Sequence, residues 1–344
     1  YDLPVELSLH YELLDDHPCL IKRVTVKNTG RKTLQVENIC AEILPRLRYD
    51  KEFRVFTDFY EQYVSVRIDD EYYKTWIEHT FPEPIDTELP PGKTLESFRC
   101  FEYATPNEPN AAALAHHRIF MAQAPWLGNS PVSQEFMSVT TRAELEAVAP
   151  AARRKGIEMV HFFMDQLFTN CGDYIPRPDL FPGGEDDLRR LVDHFHANGV
   201  RVLPYCSTTI AWQPLPNSEG SRVCREHPDW QYRGPEGIRY NCYGHGNMCY
   251  QSGWGEYITA KLDHLLELGF DGLHIDGPYH WLHCDDETHA HGGPGSTRYL
   301  NWRWEKAFFK RMRERDVFVT VPQDPAALLF GANAIPGGYT EEDF

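Results

Sequence analysis

The chain has 344 residues, of which 42% are hydrophobic, 25% charged and 13% aromatic, and its formal net charge is −17. That length supports one large domain or two ordinary ones with a sizeable core. Its 51 acidic against 34 basic residues repel phosphate backbones and anionic lipid surfaces, which argues against nucleic-acid and membrane partners and favours a neutral substrate.

Residues 1–110 read as β-structure. Leu20–Lys27 and Thr33–Ile39 alternate apolar and polar residues with period two, as half-buried strands do. The Asn28-Thr29-Gly30 between them predicts a hairpin. Tyr63–Ile68 alternates likewise, and Pro90-Pro91-Gly92 marks a turn. Short strands at this spacing predict an antiparallel sandwich. Residues 106–117 read as a linker, its core at 111–117.

Beyond it the texture changes. Ile119–Ala122 reads as a short strand. Thr141–Lys155 reads as a helix capped by Thr140 or Thr141, with Glu144 as reciprocal partner and Gly156 as its stop. Ile157–Met164 is apolar enough for a strand buried on both faces. Then follow helix Glu185–Asn198, strand Val200–Cys206, helix Tyr257–Leu268, strand Phe270–Ile275, helix Arg298–Arg315 and strand Val317–Val321, with Ala334–Tyr339 as a sixth strand. Steady β/α alternation means parallel units. No Gly-rich phosphate loop follows any strand, which favours a barrel over a nucleotide-binding open sheet. The expected fold is therefore α/β: a (β/α)8 TIM-type barrel over 118–344, cut after strand six, preceded by a sandwich over 1–110. The chain opens at Tyr1 and closes at Phe344 after a Gly-rich acidic run, as expected of a piece of a longer protein.

The long segments Gln166–Gly184, Ser207–Gln251 and Gly277–Thr297 follow strands, where a barrel builds its active site. Asp276 ends the strand of Phe270-Asp271-Gly272-Leu273-His274-Ile275-Asp276, and Gly277-Pro278 then turns the chain, so its carboxylate is the leading catalytic candidate. Asp165 ends an earlier buried run and is a candidate acceptor for sugar hydroxyls. Glycosidases set two carboxyl groups across the scissile bond. Glu342, then Glu341, after Gly337-Gly338-Tyr339-Thr340, are the candidate partners of Asp276, with Asp343 beside them. His274, Tyr205, Trp212, His280, Trp281 and Gln323 are further substrate-binding candidates. Trp126, Trp230 and Trp254 are candidate platforms, each more often a packing residue. The His280–His291 loop has metal-ligand residue types, but its spacing fits no closed zinc site. Nine cysteines lack any CxxC pair and read as buried thiols. Cys242 and Cys249 would pair in an exported protein, and the compartment is left open.

Together these segments resemble the α-galactosidases of glycoside hydrolase family 36. The likeness runs through Tyr11-Glu12-Leu13 and Val24-x-Val26-x-Asn28-x-Gly30, Phe181-Pro182-Gly183 with His196-x-x-Gly199, and Glu226-His227-Pro228-Asp229-Trp230. It implies that Asp276 matches the nucleophile of the family's Lys-Trp-Asp. Asp165 matches the second aspartate of its Asp-Asp-Gly-Trp-Phe, a hydroxyl ligand. Thr340 and Glu342 fall on its Thr-Ser-Asp, which carries the acid/base. The chain departs from the family at His274 for lysine, at Met164 for the first strand aspartate, and around Pro322-Gln323-Asp324. The expectation is a retaining, exo-acting glycoside hydrolase on a neutral α-glycoside such as an α-galactoside, needing no cofactor or metal. A non-catalytic carbohydrate-binding barrel and a metal-dependent hydrolase using the His280–His291 loop stay open, as does a homo-oligomer.

Overall fold

The computed structural model describes residues 3–46, 53–59, 65–69, 74–106, 108, 110–129, 131–136, 139–216, 218–239, 241–242, 244–277, 283–292, 294–321 and 325–333. The chain divides into two compact units, Tyr1–Trp126 with His291–Arg303, and Leu127–Ala290 with Trp304–Phe344.

The first unit carries strands β1 (Val5–Leu13), β2 (Cys19–Asn28), β3 (Leu34–Val36), β4 (Cys40–Arg46), β5 (Phe53–Thr57), β6 (Ser65–Asp69), β7 (Lys74–Thr80), β8 (Thr87–Leu89), β9 (Thr94–Glu96) and β10 (Cys100–Ala104). All their pairings are antiparallel: β1-β2-β10-β5 with β9 on β2, then β4-β7-β6, and β3-β8. The Pro90-Pro91-Gly92 turn joins β8 to β9, with Gly92 at φ 75°. The expected hairpin across Asn28-Thr29-Gly30 does not form, because β2 and β3 lie in different sheets. Asn28 is the cause. Its buried side chain donates to the Lys32 and Leu89 carbonyls (2.7 and 2.8 Å) and accepts from Gly30 N–H (2.8 Å). The turn is thereby tied to β8 instead of folding back on β2. Phe59, Phe81, Phe98, Tyr299 and Trp302 pack edge to face in this unit's core, with Phe81 and Phe98 centroids 4.9 Å apart.

The segment read as linker and strand is a helix, α1 (Ala111–Gln123). Ala111-Ala112-Ala113-Leu114-Ala115 is a run of the strongest helix formers, and that local preference outweighs the short apolar run at 119–122.

The second unit alternates β11 (Ser133–Phe136), α2 (Arg142–Lys155), β12 (Met159–Phe162), α3 (Met164–Leu167), α4 (Glu185–Ala197), β13 (Arg201–Ser207), β14 (Ile210–Ala211), α5 (Arg222–Glu226), β15 (Asn241–Cys242), β16 (His245–Asn247), α6 (Trp254–Glu267), β17 (Gly272–Asp276), α7 (Pro294–Glu314), β18 (Phe318–Thr320) and α8 (Pro325–Phe330). Residues of α7 up to Arg303 group with the first unit. The main sheet is parallel throughout, in the order β11-β12-β13-β17-β18. Its first strand is therefore Ser133–Phe136. Helix α2 has the anticipated capping box between Thr141 and Glu144, and Gly156 closes it in the left-handed conformation. Strand β12 stops at Phe162, short of the apolar run, and the chain enters α3 at Met164.

This sheet curls. Strands β12 and β17 are separated by β13, so a flat sheet would hold them roughly 9.6 Å apart. Yet the His161 and His274 ring centroids are 5.2 Å apart. Side chains from alternate strands converge this way on the inside of a closed or closing barrel. Among the described residues, no helix is long and apolar enough to cross a membrane.

The Phe270-Asp271-Gly272 turn is structural. Asp271 Oδ2 accepts from Val202 N (2.8 Å) and His196 Nε2 (2.9 Å), fastening β17 to the start of β13. At Gly272 a Cβ would stand 2.0 Å from the Phe318 carbonyl oxygen of the paired strand. Gly272→Ala is therefore expected to force β17 and β18 apart and cost at least about 1–3 kcal/mol. Urea unfolding would measure it, and an unchanged midpoint would refute the close approach.

Candidate active site

Asp276 is the last residue of β17 and is buried. Gly277 follows at φ 113°, a conformation glycine adopts without strain, and turns the chain away at the strand end. In the parallel ladder Tyr205 pairs with His274 and Ser207 with Asp276. Residues two apart on a strand share a face. Tyr205, His274 and Asp276 thus project together, joined by His161 and by Thr320, which pair in register with Leu203 and His274.

The Tyr205 hydroxyl leans along its strand and donates to Asp276 Oδ2. A hydrogen bond to the charged form favours the carboxylate. One layer below, His274 is fully buried, with Nδ1 2.7 Å from Thr320 Oγ1. Burial, then the neighbouring His161, pushes His274 down to about 3. Burial alone pushes His161 down to about 4. Both rings are neutral near pH 7, so the floor beneath Asp276 is polar without carrying a competing charge. Burial, then the charge of Asp276, raises the Cys171 thiol, which keeps it protonated and inert.

Described residues of the long segments are hydrogen-bonded to this end of the sheet. Tyr174 sits at φ 53° with its ring buried, and its hydroxyl donates to Ser207 O (3.0 Å) and accepts from Ser207 N (2.8 Å). Strain at a non-glycine residue persists where its surroundings over-determine it. Asp173, its neighbour, accepts from Arg222 N, from Val223 N (3.1 Å) and from Tyr257 OH (3.1 Å). Tyr250 OH bridges Thr208 and Thr209 (2.7 and 2.9 Å), and its ring stacks on Trp304 at 4.1 Å.

Of the residues singled out in the sequence, Asp276, Tyr205 and His274 come together. The backbone of Asp165 lies in α3, just past the end of β12. Half-buried Trp212 stacks on His245, centroids 5.1 Å apart, so one of its faces is taken. Trp230 stacks on His227 at 3.8 Å. Trp254 is a core residue, fully buried, with Nε1 donating to Thr208 O at 2.7 Å. His280, Trp281, Gln323, Thr340, Glu341, Glu342, Asp343 and the strand expected at 334–339 lie outside the described residues. Tyr174, Tyr250, His161 and Thr320 escaped the sequence reading. His161 carried a signal, being the one polar residue in the apolar stretch Met159–Phe163.

No protein-family profile matches the chain. A curated relative, the A type blood α-D-galactosamine galactosaminidase of Flavonifractor plautii, is 26% identical over 143 residues, 38% of this chain and 12% of that protein. Among solved structures, the GH36 α-galactosidase AgaA A355E of Geobacillus stearothermophilus, in complex with 1-deoxygalactonojirimycin, has a TM-score of 0.69 at 13% identity, covering 96% of this chain and 56% of its own. The α-galactosidase of Lactobacillus brevis has a TM-score of 0.69 at 12% identity, covering 96% and 54%. The chain thus spans little more than half the length of these structures. Likeness so extensive at such low identity establishes the fold, and the chain carries a divergent version of the fold of the family 36 α-galactosidases.

Proposed function

We propose that the protein is a retaining, exo-acting glycoside hydrolase on α-galactosides or their 2-amino relatives, with Asp276 as nucleophile. The observation that carries this reading is a buried carboxylate at the end of a central parallel strand, oriented by the Tyr205 hydroxyl. The likeness to α-galactosidases and to a galactosaminidase supports the sugar class. On this reading residues 1–110 form the sandwich domain and residues 118–344 belong to an eight-stranded barrel, the remaining strands falling outside the described residues.

Asp276 attacks the anomeric carbon from the face opposite the leaving oxygen, and the glycosidic bond breaks as the glycosyl-enzyme ester forms. A carboxyl group among Glu342, Glu341 and Asp343 protonates the leaving oxygen. The same group then takes a proton from the water that cleaves the ester, so the sugar leaves with its configuration retained. Asp165, Trp212, His280, Trp281 and Gln323 are proposed to bind sugar hydroxyls and ring faces. His274, in the layer below, positions Tyr205 and Asp276. The outward row Leu7, Leu9, Tyr11 and Leu13 on β1, each more than half exposed, supports self-association into a homo-oligomer.

A panel of aryl α- and β-glycosides, assayed beside Asp276→Asn, tests the reading. Turnover confined to α-galactosyl or α-galactosaminyl substrates and lost in the variant supports it. Cleavage of β-glycosides alone overturns the substrate class. Tyr205→Phe removes one hydrogen bond to a charged group, worth about 1.5–3 kcal/mol, and is expected to lower kcat roughly 10- to 150-fold. A kcat matching the parent would remove Tyr205 from the step.

A further inference from the structure

Two cysteines and a histidine of the second unit, none of them used in the proposed reaction, converge from separate parts of the sequence. Cys249 follows β16, while Cys284 and His289 lie in the segment after β17. Each offers a ligand atom within 4.8 Å of the others, and all three are buried. Donors around a tetrahedral zinc ion stand roughly 3.3–3.8 Å apart, from metal–ligand bonds of about 2.0–2.3 Å. The Cys284 Sγ to His289 Nδ1 distance is 3.3 Å.

The histidine is oriented as a ligand should be. His289 Nε2 lies 2.7 Å from the Asp229 backbone carbonyl oxygen, which only accepts, so Nε2 carries the proton. Nδ1 is then left with its lone pair directed at the thiol. A metal-bound histidine characteristically donates its other N–H to a carbonyl or carboxylate in this way. Asp286, with an oxygen 3.8 Å from His289 Nε2, is held by Arg233 Nε at 2.9 Å.

We propose that Cys249, Cys284 and His289 bind a structural zinc ion. Thiolate and imidazole donors are soft enough to prefer zinc to calcium or magnesium. All three donors are buried, which favours an ion that clasps segments together over one that meets substrate. It would join the two long segments that follow β13 and β17, already tied by Asp285 N to Arg233 O (2.7 Å) and Ala290 N to Gln251 O (2.7 Å). Binding replaces both S–H protons by metal–sulfur bonds, so two protons leave. The second cluster, Glu42, His79 and Glu102, differs because the Lys22 ammonium already bridges its two carboxylates. The zinc proposal does not rest on the glycosidase reading.

Elemental analysis of protein purified under reducing, chelator-free conditions is the test. The expected result is about one zinc per chain, released by a strong chelator with a fall in Tm that added zinc reverses. Asp276→Asn should keep the metal, whereas Cys284→Ser and His289→Ala should lose it. Should those variants fail to fold, the chelator experiment on the parent protein still decides. A metal-free protein that takes up no added zinc, or a Cys249–Cys284 disulfide in non-reducing peptide maps, overturns the proposal.

Discussion

Replacing Asp276 by alanine is expected to lower kcat on an aryl α-galactoside by about four orders of magnitude or more, the scale seen when a covalent nucleophile is deleted. Among the described side chains on that face, none is an anion that could replace the carboxylate: His161 and His274 are neutral and Cys171 is held as a thiol. Removing the side chain also deletes the hydrogen bond from the Tyr205 hydroxyl, a loss of about 0.5–1.5 kcal/mol in stability. Unfolding curves must therefore accompany the assay. Azide supplied in excess would occupy the space of the lost carboxylate and restore part of the turnover, giving a glycosyl azide of inverted anomeric configuration. A variant that retains more than a tenth of parental activity would contradict the assignment.

The second large effect concerns pH and stability. His161 is pushed down to about 4 and His274 to about 3 in the folded protein, against about 6.5 in an unfolded chain. Below pH 6.5 the unfolded chain binds protons that the folded state refuses. The stability these rings contribute is thus complete above about pH 6.5 and lost as the pH falls toward 4 for His161 and 3 for His274. The slope is roughly 1.4 kcal/mol per pH unit per histidine, on the order of 3 kcal/mol for His161 by pH 4. Urea midpoints measured between pH 7.5 and 4.5 should fall steeply in the parent. His161→Leu should lose one proton's worth of that slope, since the carboxylates that also titrate are common to both proteins. An identical slope in the variant would show that His161 is protonated in the fold.

What was legible in the sequence was local. Thr141 and Glu144 announce their helix because capping is decided within four residues, and Gly156 ends it for the same reason. The strand-end position of Asp276 was legible because a strand, a carboxylate and a glycine turn follow in order. Features decided at a distance were hidden. The Asn28 turn looks like a hairpin until Leu89, far along the chain, offers its carbonyl to the asparagine side chain. The apolar run at Ile157–Met164 does not reveal that the strand ends at Phe162, since helix and buried strand share that composition. That His274 would be a neutral ring was hidden as well, because its burial beside His161 and Thr320 is decided by three strands together. Cys249 gave no metal signal because its partners come from a separate segment.

The central claim is that Asp276 forms the covalent bond to sugar. It is tested most directly by trapping the intermediate with a fluorinated galactosyl substrate whose second step is slow, then mapping the labelled peptide by mass spectrometry. The account predicts one sugar on the peptide Gly269–Pro278, at Asp276, and none in Asp276→Asn. A label on any other carboxylate, or hydrolysis that inverts the anomeric configuration without a trapped adduct, would contradict it.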